Sequence, residues 1–130
     1  MAKMKKKPVK KPARRIWEGF LLCRKAVGTE ELAEALAQAG IVCECWHEMQ
    51  VMEIPVAEGT SLDVERSEIA WEGEDAIYLE NHDVACVFEL TVPEDGLAAA
   101  GKAFAALAAG GRGVVCEDTE DFQPVLAGSF

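Results

Sequence analysis

The sequence predicts an α+β domain of the ferredoxin-like, split-βαβ class: a two-layer sandwich with extra strand pairing inserted between two βαβ halves. Two similar stretches carry this prediction, one over residues 27–44 and one over residues 92–117. Each runs from an acidic helix start through an alanine-rich helix to a glycine stop and a β-branched strand. One such unit cannot bury its sheet face alone, whereas two side by side can, with both helices on one face. The likeness makes Cys43 and Cys116 equivalent positions of the two halves.

The first half begins with a strand and a helix. Residues 16–25 are aromatic and aliphatic on both faces, which is typical of a central strand. The helix predicted over residues 29–39 has Thr29 as its expected N-cap, acids in its first turn and a glycine stop. Residues 41–54 start with β-branched residues and are predicted to form one long strand that Pro55 ends.

The middle of the chain is interpreted as short strands joined by turns. Residues 62–71 alternate between apolar and polar side chains, with a break near Arg66. The acidic residues 72–75 indicate a turn, and residues 76–80 a further short strand. We expect the whole segment 62–80 to supply the inserted strand pairing.

The second half repeats the pattern of strand, helix and strand. Residues 84–92 are rich in β-branched and aromatic side chains, and a proline and two acids then open a helix over residues 94–109. A strand over 113–117, a turn over 118–121 and an extended segment over 122–126 complete the chain. The expected core consists of the large apolar residues of both halves: Trp17, Phe20, Leu22, Leu32, Leu36, Phe88, Leu90, Leu97, Phe104 and Leu107.

Charge divides the chain into two parts. Residues 1–15 hold eight basic residues and no acid, whereas residues 16–130 hold five basic and 23 acidic residues, so the net charge of −10 combines +8 with −18. Two prolines among the lysines disfavour a helix there, which predicts a flexible basic tail over residues 1–15 and a single domain over residues 16–130. The acidic domain repels nucleic acid and attracts basic proteins, so nucleic-acid binding is expected only through the tail.

Composition also indicates the compartment. Half of the 130 residues are hydrophobic, yet no apolar run approaches the roughly 20 residues of a membrane span, and the N-terminus lacks the apolar core of a secretory signal. The chain has five cysteines, which is an odd number and too few for a disulfide scaffold. We therefore expect a cytoplasmic protein with reduced thiols and no membrane contact.

A soft-metal site is the first chemistry to consider. On a single strand, Cys43, Cys45, His47 and Met49 would share one face, and such ligands suit copper(I) or zinc. Successive residues on one face lie about 6.6 Å apart, so one strand usually delivers two ligands to an ion. Core packing is the favoured interpretation, because Cys and Met are commonly buried, and a metal site on Cys43, Cys45 and His47 is the alternative.

Signatures of catalysis and of cofactor binding are missing from the sequence. It contains no GxSxG element, and the glycines of 110–113 end a helix, whereas a phosphate-binding loop begins one. The carboxylates of 117–121 lack the alternating order of a calcium loop. A thiol nucleophile would need Cys86 to pair in space with His82 or His47. We expect neither an enzyme nor a bound cofactor.

Binding is the class of function that this elimination leaves. The preferred hypothesis is a non-enzymatic, acidic protein-binding module that acts as an inhibitor, regulator or immunity-type neutraliser of a basic partner protein. The alternative is a small-molecule-binding regulatory domain of the same fold. The candidate contacts are two tryptophans and the carboxylate-rich turns: Trp46, Trp71, Glu72, Glu74, Asp75, Asp118, Glu120 and Asp121.

Overall fold

An antiparallel, open sheet of seven strands and three α-helices form the α+β fold of the computed structural model, which describes residues 14–120 and 122–130. The strands are β1 (Ile16–Cys23), β2 (Glu44–Trp46), β3 (Val51–Ala57), β4 (Thr60–Arg66), β5 (Cys86–Pro93), β6 (Val114–Glu117) and β7 (Val125–Gly128). The helices are α1 (Thr29–Gln38), α2 (Gly73–Asn81) and α3 (Gly101–Gly111), and two short 3₁₀ turns lead into α3. The strand order is β2-β3-β4-β5-β1-β6-β7.

Strand β1 lies in the interior of the sheet, between β5 and β6. Its side chains alternate between two hydrophobic cores, since Trp17 and Leu21 face one side and Phe20 and Leu22 the other. All four are buried. The prediction of a central strand over 16–25 is therefore confirmed, although the strand ends at Cys23.

Helices α1 and α3 pack against each other on one face of the sheet. Their apolar stripes join the inward residues of β1, β3, β4 and β5 in the larger core, so the placement of both helices on one face is confirmed. Leu97, at the start of the second helical segment, is half-buried at the edge of this core. The other predicted helix residues are fully or almost fully buried there: Leu32, Leu36, Phe104 and Leu107.

A smaller core on the opposite face adds a partial third layer. Leu79 of α2 and Phe122, which precedes β7, pack there against Phe20 and Leu22 of β1. The expected two-layer sandwich is thus incomplete as a description. The cover is needed because β1 and β6 are apolar on both faces, and leaving either face open would expose large side chains to water.

The long strand expected over residues 41–54 does not form. The chain runs irregularly to residue 43, forms β2, turns at residues 47–50 and returns as β3. Gln50 takes a left-handed φ of 55°, and its side-chain amide donates to the His47 carbonyl oxygen at 2.7 Å. Glutamine gives no turn signal comparable to glycine or asparagine, which explains why the sequence did not indicate the turn.

The short strand expected over residues 76–80 is wrong, because these residues belong to α2. Glu74 and Asp75 lie in the first turn of α2, where carboxylates interact favourably with the positive end of the helix dipole. Tyr78 and His82, four residues apart, stack with ring centroids 4.2 Å apart. The inserted strand pairing is therefore the β2–β3 hairpin, not the whole of segment 62–80.

Three local expectations also need correction. Gly28 is the N-cap of α1, and the fully buried Thr29 is the first helical residue. The last strand lies at 125–128, since Phe122 turns inward into the smaller core. Cys43 and Cys116 are not equivalent, because Cys116 lies in β6 and Cys43 in the loop before β2.

The basic tail falls largely outside the described residues. Its last two residues contact the domain: Arg14 pairs with Asp95, and the Arg15 carbonyl oxygen accepts from the Glu94 amide at 2.7 Å. No helix in the described part of the chain combines the length and the apolar character needed to cross a membrane.

Truncation of Phe104 tests the helix placement. Phe104 is 2% exposed, and its ring centroid lies 5.3 Å from that of Trp17. Phe104→Ala should lower the free energy of unfolding by about 3–5 kcal/mol, since it removes a large buried side chain from a packed core. Urea denaturation measures the change. The exposed Lys102→Ala variant of the same helix should change it by less than about 0.5 kcal/mol. A loss below about 1 kcal/mol for Phe104→Ala would contradict the assigned packing.

Candidate functional site

The predicted acidic turns come together in space. Glu74 and Asp75 at the start of α2 and Glu120 after β6 line a single shallow cavity of about 250 Å³. Glu72 and Asp118 are exposed beside these two elements. Asp121 lies outside the described residues. The chain thus places two separate carboxylate runs around one concavity, next to Tyr78 and Phe122: these are the turn carboxylates Glu72, Glu74, Asp75, Asp118 and Glu120.

The two candidate tryptophans have different surroundings. Trp71 is half-buried in the smaller core, with its ring centroid 5.3 Å from that of Phe20 and 5.5 Å from that of Phe122. These contacts give Trp71 a structural role in the smaller core. Trp46, at the end of β2, is 43% exposed and is free to contact a partner.

The candidate sulfur and imidazole ligands do not converge on one point. The Sγ atoms of Cys43 and Cys45 lie 3.6 Å apart, and burial together with the Cys45 thiol raises the pKa of Cys43 to about 11. The Nδ1 atom of His47 is 2.6 Å from the Thr29 hydroxyl, and Met49 is 63% exposed at the hairpin turn. Within residues 14–120 and 122–130, no three metal-ligating side chains converge.

Cys86 and the two histidines also have separate partners. The Cys86 thiol lies 3.6 Å from the Lys25 carbonyl oxygen and 3.7 Å from that of Val27. His82 Nδ1 is 2.9 Å from the Tyr78 carbonyl oxygen. The structure therefore brings together neither of the Cys–His pairs that a thiol nucleophile would require.

One face of the sheet carries several carboxylates and is open in part. It lies on the side opposite α1 and α3, over β2, β3, β4, β5 and the start of β1, beyond the reach of α2. Residues that pair directly across antiparallel strands share a face, and the register assigns six carboxylates to this one: Glu18, Glu44, Glu53, Asp63, Glu65 and Glu89. We call this set the acidic sheet face.

Three pairs on the acidic sheet face set like charges directly opposite each other. Glu44 pairs with Glu53, Glu53 in turn pairs with Asp63, and Glu65 pairs with Glu89. Directly opposite Cβ atoms in a sheet lie about 4.5–5.5 Å apart, and like charges at that separation destabilise the pairing. Trp46 pairs with Val51 on the same face and so borders the carboxylates at the β2 edge.

Cations of the described chain do not offset this repulsion. The two ion pairs among the described residues join Arg14 to Asp95 and Arg24 to Asp83, outside the acidic sheet face. Arg66, at the end of β4, lies instead over the Phe88 ring, 5.8 Å from its centroid. Partial burial raises the pKa of Asp63, because water solvates its charged form less well.

The acidic sheet face is not apparent from the sequence, because its carboxylates are spread over five strands. A signal was present in β4, where Ser61, Asp63 and Glu65 alternate with Leu62 and Val64. This alternation indicates a strand with one polar face. The register that places Asp63 opposite Glu53 belongs to the β3–β4 hairpin, and the alternation within β4 alone does not reveal it.

Neutralising Asp63 should stabilise the fold. Asp63→Asn removes a like-charge contact with Glu53, so the free energy of unfolding at pH 7 should rise by about 0.2–1 kcal/mol. Because the folded-state pKa of Asp63 is raised, its charge costs stability above that pKa, and the cost disappears as the pH falls toward the ordinary value of 3.8. The advantage of the variant should therefore shrink on acidification.

Urea denaturation between pH 7 and pH 3.5 measures both effects. The matched control is Glu68→Gln, an exposed loop carboxylate that has no cross-strand partner. An Asp63→Asn variant less stable than the wild type at pH 7 would show that the carboxylates of this face do not repel each other.

Comparison with known proteins adds no relative from which a role could be carried over. No family model, curated protein or solved structure matches this chain. The acidic sheet face and the turn carboxylates are therefore the features on which a functional proposal has to stand.

Proposed function

We propose that the chain is a non-enzymatic, acidic protein-binding module that inhibits, regulates or neutralises a basic partner protein. The observation that carries the proposal is the stacking of like charges on the acidic sheet face, at Glu44–Glu53, Glu53–Asp63 and Glu65–Glu89. Lysine and arginine side chains of a partner would relieve this repulsion. Binding would then remove a cost that the free protein carries.

The width of the acidic sheet face favours a protein surface, rather than a small cation, as its binding partner. The six carboxylates span five neighbouring strands, and strands lie about 4.8 Å apart, so the acidic area is roughly 19 Å wide. A field of one sign over this width accelerates encounter with an oppositely charged protein and selects against acidic ones. Trp46 at one edge offers the aromatic contact that is enriched in interface hot spots.

We also propose that the core of the sheet has the ferredoxin-like, split-βαβ arrangement. The support is the order β4-β5-β1-β6, in which β5 lies between the parallel strands β1 and β4, and β1 lies between β5 and β6. Helices α1 and α3 would be the two crossovers. The β2–β3 hairpin and β7 would then be additions at the two edges of this core.

A cytoplasmic location is part of the proposal. All five cysteines are free thiols, two of them buried in the larger core and one in the smaller core. Free thiols persist in a reducing compartment. The chain would then encounter its basic partner in the cytoplasm.

A pair of matched variants tests the proposed binding site. The full chain is used to capture proteins from its host, and a captured basic protein is purified. Its affinity is then measured for the wild type, for the sheet variant Glu53→Gln/Asp63→Asn/Glu65→Gln and for the turn variant Glu72→Gln/Glu74→Gln/Glu120→Gln. Both variants lose three negative charges, so net charge alone cannot separate them.

The sheet variant should bind at least about tenfold more weakly at low salt, since each lost ion pair contributes about 0.5 kcal/mol. The turn variant should stay within about threefold of the wild type, and the difference should shrink toward 0.5 M salt, where the Debye length is about 4 Å. Equal losses for both variants would contradict the assignment to the sheet face.

Deleting residues 1–13 distinguishes the chain's own tail from a foreign partner. The deletion removes six lysines and keeps the contacts of Arg14 and Arg15. If the tail competes for the acidic face, the shortened chain should bind the basic protein more tightly, most of all at low salt. If it loses the partner, the tail itself is the binding element and the sheet-face proposal fails.

A further inference from the structure

Two buried cysteines lie directly opposite each other on neighbouring strands. Cys23, the last residue of β1, pairs in register with Cys86, the first residue of β5, and both side chains enter the larger core. Direct partners in an antiparallel sheet have Cα atoms about 4.5–5.5 Å apart, and a disulfide needs a separation of about 4.4–6.8 Å. The backbone therefore already has the spacing that a bridge requires.

The two thiols differ in how accessible they are to solvent. Cys23 is fully buried, and a Cβ atom placed on Gly111 of α3 would lie 2.5 Å from its Sγ atom, so the helix closes directly over it. Cys86 is 7% exposed, and its Sγ atom lies beside the Lys25 and Val27 carbonyl oxygens of the loop that follows β1. Of the two residues, Cys86 is therefore the more accessible to a small oxidant.

The two thiols also differ in acidity. A hydrogen bond from the Cys23 thiol lowers the pKa of Cys86, against the opposing effect of burial, and Arg66 lowers it further. The same contact and burial raise the pKa of Cys23. Since the thiolate is the nucleophile, Cys86 is the attacking sulfur and Cys23 the resolving one.

We infer that Cys23 and Cys86 form a redox-active pair that a hydroperoxide converts into a cross-strand disulfide. The Cys86 sulfur attacks the peroxide, so that the O–O bond breaks, an S–O bond forms and one alcohol or water molecule leaves. The Cys23 sulfur then attacks the sulfenic sulfur, so that the S–O bond breaks, the S–S bond forms and the departing hydroxide takes the Cys23 proton as water. The two sulfurs together supply the two electrons that reduce the peroxide.

The other three cysteines are less suited to this reaction. Burial and the nearby Asp118 raise the pKa of Cys116 to about 12, and its Sγ contacts the Phe20 carbonyl oxygen. Cys43 and Cys45 are adjacent thiols, but the pKa of Cys43 is raised to about 11, which leaves little thiolate at neutral pH. Oxidation should therefore be selective for the pair between β1 and β5.

The test treats the reduced full-length protein with hydrogen peroxide, alkylates the remaining thiols and maps disulfides by mass spectrometry. Two of the five thiols should be lost, in a linked peptide pair that holds Cys23 and Cys86, and dithiothreitol should restore both. The Cys86→Ser variant should lose thiols at least about tenfold more slowly, whereas the buried control Cys116→Ser should match the wild type.

The mapping on the wild type requires no variant to fold, so the result does not depend on the substitutions. A bridge between Cys43 and Cys45 in place of the expected one would overturn the inference. So would a wild type that keeps all five thiols, or one in which Cys23 is oxidised as fast in Cys86→Ser as in the wild type. These outcomes do not bear on the proposed binding face, which contains no cysteine.

Discussion

Strand β1 is apolar on both faces, so both sides of the sheet have to be covered along it. Trp17 and Leu21 require a cover on one side of the sheet and Phe20 and Leu22 a cover on the other. Helices α1 and α3 supply the first cover. Helix α2, Trp71 and the segment around Phe122 supply the second, but this cover extends only over β5, β1 and β6. The same side of the sheet stays open over β2, β3 and β4 and over the uncovered parts of β5 and β1, and the carboxylates lie there.

The open face lowers local stability, a cost that the proposed binding would offset. A sheet optimised for stability alone would alternate charges across its strands, since directly opposed like charges weaken the pairing. This chain places Glu53 against Asp63 and Glu65 against Glu89. The opposite face of the same strands is fully buried, at Met52, Ile54, Leu62 and Val64, and this apolar burial offsets the repulsion. Conflicts of this kind between local and global preferences concentrate at functional sites.

The sequence predicts the elements whose periodicity and end signals agree, and it fails where a single backbone conformation decides. The central strand, both long helices and β5 follow from apolar patterning with acidic starts and glycine stops. The β2–β3 hairpin depends on Gln50 in a left-handed conformation, which has no compositional signal. Helix α2 is too short for a clear stripe, since only Leu79 in it is buried.

The candidate site, like the fold, can be predicted from the sequence only in part. Trp46, Trp71 and the turn carboxylates can be selected from residue type alone, but residue type does not show that Trp71 packs against Phe20 and Phe122, because a tryptophan in a loop can pack as well as bind. The acidic sheet face can be recognised only from the register among five strands. Asp63 and Glu65 indicate its existence from alternation, but only the pairing with Glu53 and Glu89 shows that the charges oppose each other.

The position at which a cationic peptide binds directly tests whether the acidic sheet face is the binding surface. A decalysine peptide is titrated into the ¹⁵N-labelled full-length protein, and backbone amide shifts are followed at low salt. If the acidic sheet face attracts cations, the largest shift changes should cluster at Glu53, Asp63, Glu65 and Glu89 and should diminish with added salt. Changes centred on the turns at residues 72–75 and 118–120, with the sheet amides unmoved, would contradict it.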